Sequence, residues 1–148
     1  MARAQGLIDI ACLPEPFDGE RLREITRVFE DRPHLWARID VSGGELTPEQ
    51  AIYGEVLGRV YADGAPVALY VLHFYQGWGG GTEAFITFAH GAAEFDLCAV
   101  VLPLIEQQCA GCAGIGMNTR RPGLIRKLKA AGYVAENHTG SAQMRKAL

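Results

Sequence analysis

Apolar residues along this chain fall into short stretches that switch between helical and strand spacing, with glycines and prolines separating them. Leu7 to Leu13 reads as a first short strand, ended by Pro14 and Pro16. Asp18 then offers a carboxylate as N-cap, and Leu22, Ile25, Val28 and Phe29 recur along one side of an amphipathic helix reaching about Glu30. Thr47-Pro48-Glu49-Gln50 is a capping box with proline in the first turn, so a second helix is expected to run to about Leu57. Arg59 to Ala62 and Pro66 to Tyr75 are strand-like, and Asp63-Gly64 between them tolerates the positive φ of a tight hairpin. After the glycine-rich turn 77–82, Ala84, Ile86 and Phe88 alternate with Phe85, Thr87 and Ala89, which predicts a strand over 83–89 buried on both faces.

The second half carries the longer elements. A helix is expected from Ala92 to about Gln108, with Pro103 as its one irregularity. Gly114 to Met117 reads as a short buried strand. Pro122 opens a last helix that sets Leu124, Ile125 and Leu128 against Arg126, Lys127 and Lys129, and Gly132 stops it. Tyr133 to Glu136 and Ala142 to Leu148 complete the pattern as terminal strands around a polar turn. Strands and helices in this order predict an α/β fold with a mixed sheet, and a helix between two strands makes those strands parallel neighbours through a right-handed crossover. No repeat or linker divides the chain, so residues 1–148 are expected to form a single domain.

Composition narrows the class. With 148 residues, 49% of them apolar and 21% charged, the chain can bury a core without disulfide or metal staples. The longest apolar runs, 65–75 and 97–105, fall well short of a membrane span, and Arg3 and Asp9 make the first ten residues a poor signal peptide, so a cytoplasmic protein is expected. Charge is unevenly placed. Residues 1–112 hold seven arginines against sixteen acids, a balance of −9, whereas residues 113–148 hold seven basic residues against Glu136 alone, a balance of +6. A basic end of this kind suits a phosphate, a nucleic acid or an acidic protein surface, and equally suits attraction between two faces of one domain. Nucleic acid is disfavoured because Tyr133 is the one aromatic residue in the basic segment. Cys109-Ala110-Gly111-Cys112 is a lone C-x-x-C pair placed after a helix rather than at a helix N-terminus, so it reads as packing rather than as a metal or redox site.

The stretch Gly114-Ile115-Gly116-Met117-Asn118-Thr119-Arg120-Arg121-Pro122-Gly123-Leu124-Ile125-Arg126-Lys127-Leu128-Lys129-Ala130-Ala131-Gly132-Tyr133 resembles the strand, short helix and Gly-aromatic ending of the GNAT acyltransferase superfamily. The resemblance covers about Ala65 to Leu148, and the first half shares the family's element order. It implies an α/β, GNAT-like mixed sheet, mostly antiparallel, flanked by helices on both faces. It also implies acetyl-CoA as the cofactor if the protein is active, and otherwise none. The family's R/Q-x-x-G-x-G/A loop binds pyrophosphate at the N-terminus of the long helix. Here that place reads His90-Gly91-Ala92-Ala93-Glu94-Phe95-Asp96, with one glycine, no leading Arg or Gln, and two acids that suit an empty helix end. The resemblance makes Gly91, Ala92, Ala93, Arg120 and Arg121 the candidate cofactor-binding residues. The family's general-acid Tyr is Leu128 here, and no Glu stands within Ala84 to Ala89 as a base. His90 and His73 are the remaining candidates for accepting a proton, with Glu83 as a further edge residue.

Two functions follow from this reading: an acyl-CoA-dependent N-acyltransferase, or a catalytically silent GNAT-like module with a structural or interaction role. The Thr119-Arg120-Arg121-Pro122-Gly123 opening of the last helix is similar to small phage-encoded GNAT-like proteins, which implies a phage particle as setting and other virion or phage proteins as partners. Arg120 and Arg121 are expected either to bind an anion or to pair with the acidic N-terminal helix. Trp78, in the glycine-rich turn, is expected either to anchor a partner or to fold back over the sheet.

Overall fold

The computed structural model, which describes residues 7–40, 42–138 and 141–148, is built on one seven-stranded sheet. Its strands are β1 (Ile10–Pro16), β2 (Val56–Ala62), β3 (Ala65–Gln76), β4 (Thr82–Gly91), β5 (Gly114–Thr119), β6 (Val134–His138) and β7 (Ser141–Ala147), in the spatial order β1-β2-β3-β4-β5-β7-β6. Every neighbouring pair is antiparallel except β4 and β5, which are parallel, as the intervening helix requires. The β2–β3 hairpin turns through Asp63 and Gly64, both at positive φ (51° and 82°). The helices are α1 (Gly19–Asp31), α2 (Pro33–Ile39), α3 (Pro48–Ala51), α4 (Leu97–Gln108) and α5 (Pro122–Ala130). The tip of the final polar turn and residues 1–6 of the N-terminal segment lie outside the described residues.

Each face of the sheet carries its own core. On one face Tyr70, Leu72, Ile86, Ile115, Met117 and Met144 pack against Leu102, Ile105 and Leu128 from α4 and α5. On the other, Leu57, Val71 and Phe88 pack against Ile25 and Phe29 of α1 and Ile52 beyond α3, with α2 adding Leu35, Trp36 and Ile39 at the margin. This is the α/β arrangement with helices on both faces.

Five expectations shift. The first strand runs to Pro16 rather than ending before Pro14; β1 is an edge strand, where a proline costs no ladder bond on its open side. The capping box at Thr47 forms, but α3 stops at Ala51, because Glu55 donates its N–H to Leu72 O (2.9 Å) and Val56 onward pairs in the sheet. α2 was not foreseen, although Pro33 occupies its first turn. The long helix begins at Leu97 rather than Ala92: Ala92 N–H is still bonded to Val67 O beside β3, and Asp96 caps the helix instead. Finally, the alternation along β4 breaks. Val71 faces Phe88 and Leu72 faces Ile86, so Thr87 is an extra residue, and Phe88 passes to the α1 side while Ala84 and Ile86 stay on the α4 side.

The charge asymmetry resolves into contacts. Arg145, Lys146 and Lys127 pair with Glu83, Glu106 and Asp96, all from the acidic part of the chain. Acids of α1 go elsewhere: Glu24 shares Arg59 with Glu15 of β1, and Glu20 faces Arg21; among the described residues neither Arg120 nor Arg121 forms an ion pair with that helix.

Candidate functional site

The parallel pair β4–β5 is in register over only Glu83–Ile86 and Gly114–Met117. Beyond that, β4 continues to Gly91 against β3 alone and β5 continues to Thr119 against β7 alone, so the two strands part. A cavity of about 790 Å³ occupies this opening, within the range of small-molecule sites. Ile86, Val101, Leu102, Met117 and Leu128 form an apolar wall, and the N-terminal ends of α4 and α5 both reach its mouth.

Local sequence explains what stands there. Gly91 ends β4 where a Cβ would lie 2.4 Å from the Ala68 Cβ and 2.8 Å from Val67 O, so close approach of strands accounts for this glycine. Residues 92–96 form an irregular link to α4. Asp96 at its end accepts from the N–H of Ala99 at 3.2 Å, and its Oδ2 lies 3.1 Å from Lys127 Nζ. The Lys127 ammonium and the Ala99 N–H hold the Asp96 carboxyl below the usual carboxylate range, so it is charged at neutral pH. A carboxylate of the same chain therefore sits at this helix N-terminus and takes one of the donors it would offer an anion. Against this the family's pyrophosphate does not fit at α4: its place holds a negative charge and an internal ion pair.

The end of α5 is different. Arg121 is its N-cap and supplies no side-chain cap, while Pro122 occupies the first turn. Arg120 Nη1 donates to the main-chain O of Asp40 at 3.3 Å. Asp40 itself is a buried hub. Burial pushes its carboxyl up, but hydrogen bonds from Ser42 and the Gly44 N–H, with Arg120 nearby, outweigh that and hold it low. Arg38, at the last turn of α2, also lines the cavity and escaped the sequence reading with its helix.

The candidate histidines are not brought together. His90 lies at the cavity margin beside the rings of Phe88 and Phe29 (centroids 6.4 Å from each), and burial, then Arg32, lowers its pKa below 6.5. It is consequently neutral at physiological pH. Among the described residues no carboxylate orients it. His73 faces Phe85 on β4, whereas His90 faces Leu69 on β3, a separation of four residues or about 13 Å along the strand. His73 Nδ1 is 2.9 Å from Glu55 Oε2, and the ring stacks on Tyr75 and meets the edge of Tyr53, away from the cavity. Glu83 is buried and held by Arg145 through two contacts (2.7 and 3.0 Å) that keep its carboxyl low. Leu128 is fully buried at the position of the family's tyrosine.

The other singled-out residues take plain positions. Cys109 is buried at the C-terminal end of α4, where burial pushes its thiol up to about 11, and Cys112 N–H turns back to Cys109 O (2.8 Å). Trp78 projects fully into solvent from the glycine-rich turn rather than lying over the sheet. Among the described residues no group of three His, Cys, Asp or Glu is placed to hold a metal, and no helix there is long and apolar enough to cross a membrane.

No protein-family model matches the sequence, and no curated protein does either. Solved structures do. An aminoglycoside N(6')-acetyltransferase from Legionella pneumophila superposes with a TM-score of 0.63 at 9% identity, over 92% of this chain and 91% of its own. An acyl-CoA N-acyltransferase from Pseudomonas aeruginosa gives 0.60 at 12% identity, over 94% and 100%. An acetyltransferase of the GNAT family from Streptococcus pneumoniae gives 0.54 at 12%, over 93% and 99%. At these identities the likeness establishes the fold, and the chain has the GNAT fold.

Proposed function

We propose that this protein is a GNAT-fold binding module that does not transfer acetyl groups from CoA. One observation carries the proposal: the Asp96 carboxylate takes the Ala99 N–H at the head of α4 and pairs with Lys127, so it puts a negative charge where a pyrophosphate would need free donors and no such charge. Two further features support it. Leu128 is fully buried where the family places a phenol, and Glu83 is committed to Arg145. The cleft itself is kept, so a binding role through it, within an assembly or alone, fits better than loss of all function.

The acyltransferase reading retains one favourable observation, a neutral His90 at the cavity margin that is free to accept a proton. The separating experiment is CoA release from acetyl-CoA across a panel of amines, amino-terminal peptides and aminoglycosides. The proposal expects the rate without protein for every acceptor. Turnover with any acceptor, abolished by His90→Ala, overturns it.

A further inference from the structure

Resting on the proposed binding role, a deeper reading comes from the charges around the β4–β5 cavity. The charged side chains lining it are Arg38, Arg120, Arg121, Lys127 and Asp96. Asp96 and Lys127 neutralise each other. The three arginines remain, contributed by α2 and by the β5–α5 junction. Arg120 donates to the Asp40 main-chain O and lies close enough to the Asp40 carboxylate to help hold it charged, so it is partly answered, whereas neither Arg38 nor Arg121 pairs with a carboxylate among the described residues. In a chain of net charge −3, a cavity whose mouth carries unmatched positive charge is a local inversion. Beneath the arginines the wall is aliphatic, through Ile86, Val101, Leu102, Met117 and Leu128.

We infer that the cavity binds an amphiphilic anion, a small molecule with an apolar body seated on that wall and one carboxylate or phosphate held by Arg38 and Arg121. The chemistry on each side is separately satisfied. An apolar body gains by leaving water in proportion to its buried area. A guanidinium fork meets either oxyanion with paired charge-assisted hydrogen bonds. A neutral or cationic amphiphile would leave the arginines unmet or repel them. The site differs from a helix-dipole phosphate cradle, because side-chain cations supply the recognition and the head of α4 takes no part.

Calorimetric titration of the full chain at low salt with decanoate, decyl phosphate and decyltrimethylammonium, each below its micelle concentration, tests this. Saturable binding of decanoate or decyl phosphate at one site, with no binding of the cation, is expected, and the stronger of the two anions identifies the head group. Arg38→Ala and Arg121→Ala should each weaken that binding by roughly tenfold or more, the scale of a lost charge-assisted hydrogen bond. Both arginines are exposed, so these variants should fold. Ala89→Trp, at an exposed residue lining the cavity, should block both anions. Equal binding of the cation, no binding of either anion, or anion binding indifferent to both arginine variants overturns the inference. A separate result concerns the binding-module reading: CoA release from acetyl-CoA in the presence of an amine acceptor defeats that reading, while the decanoate and decyl phosphate arms still decide this one.

Discussion

Two helices bring their N-termini to the same cleft, and they end in opposite ways. α4 is closed by Asp96, which caps Ala99 and pairs with Lys127 of the neighbouring helix. α5 has no side-chain cap and begins between Arg121 and Pro122, with Arg120 just before them. In an anion-binding α/β protein the first kind of end is normally the open one. Here the chain sets its own carboxylate at α4, and among the described residues Arg38 and Arg121 stand without a carboxylate partner at the other side of the cleft. The difference teaches that two helix N-termini at one cavity can present opposite polarity, and that the polarity is set by individual caps and pairs rather than by topology.

The comparison can be broken most forcefully by loosening α5. Leu128 is fully buried under α5, so Leu128→Ala should cost about 2–5 kcal/mol, read by chemical denaturation, while leaving the Asp96 cap untouched. Placing a phenol there is the next largest effect. Leu128→Tyr puts a larger, polar side chain at a fully buried position and should cost about 1–3 kcal/mol without creating acetyl transfer, checked by denaturation and by CoA release. Asp96→Ala sharpens the comparison directly. Removing the cap and the Lys127 partner should lower the melting temperature by less than either Leu128 variant, and should let inorganic pyrophosphate raise it more than in the wild type.

The smallest expected effect is a pH dependence. Burial and Arg32 depress the His90 pKa below 6.5, so above that pH both folded and unfolded chains hold it neutral and it contributes nothing to the slope. As pH falls through 6.5 the unfolded chain takes up the proton first, and stability declines until the folded pKa is passed. His90→Phe should therefore shrink the drop in melting temperature between about pH 7.5 and 5.5. An unchanged drop would assign that slope to other groups.

Much of the architecture was legible because local signals and global fold agree. The Asp63-Gly64 hairpin, the Asp18 cap, the Thr47 capping box and the parallel crossover each rest on a rule that needs no tertiary context. α4 starts later than expected because Ala92 and Ala93 favour helix as well as any residues do, whereas the Ala92 N–H is bonded to Val67 O and Asp96 caps the helix further along. The extra residue at Thr87 has no sequence signature, since threonine suits a regular strand and a bulge alike. α2 was missed despite Pro33 and the spacing of Leu35, Trp36 and Ile39, and Arg38 was lost with it. Of the site, the acids at the head of α4 were readable, but which one caps and which cation answers it depended on packing between α4 and α5. The phage setting rested on the style of one motif, and no contact in the fold bears on it.

The central claim is that the head of α4 is already occupied by the chain's own carboxylate. Isothermal titration of CoA at low salt into the wild type and Asp96→Ala, side by side, tests it most directly. The account predicts little or no heat from the wild type and measurable binding by the variant. Micromolar binding by the wild type, unchanged or weakened by Asp96→Ala, would contradict it.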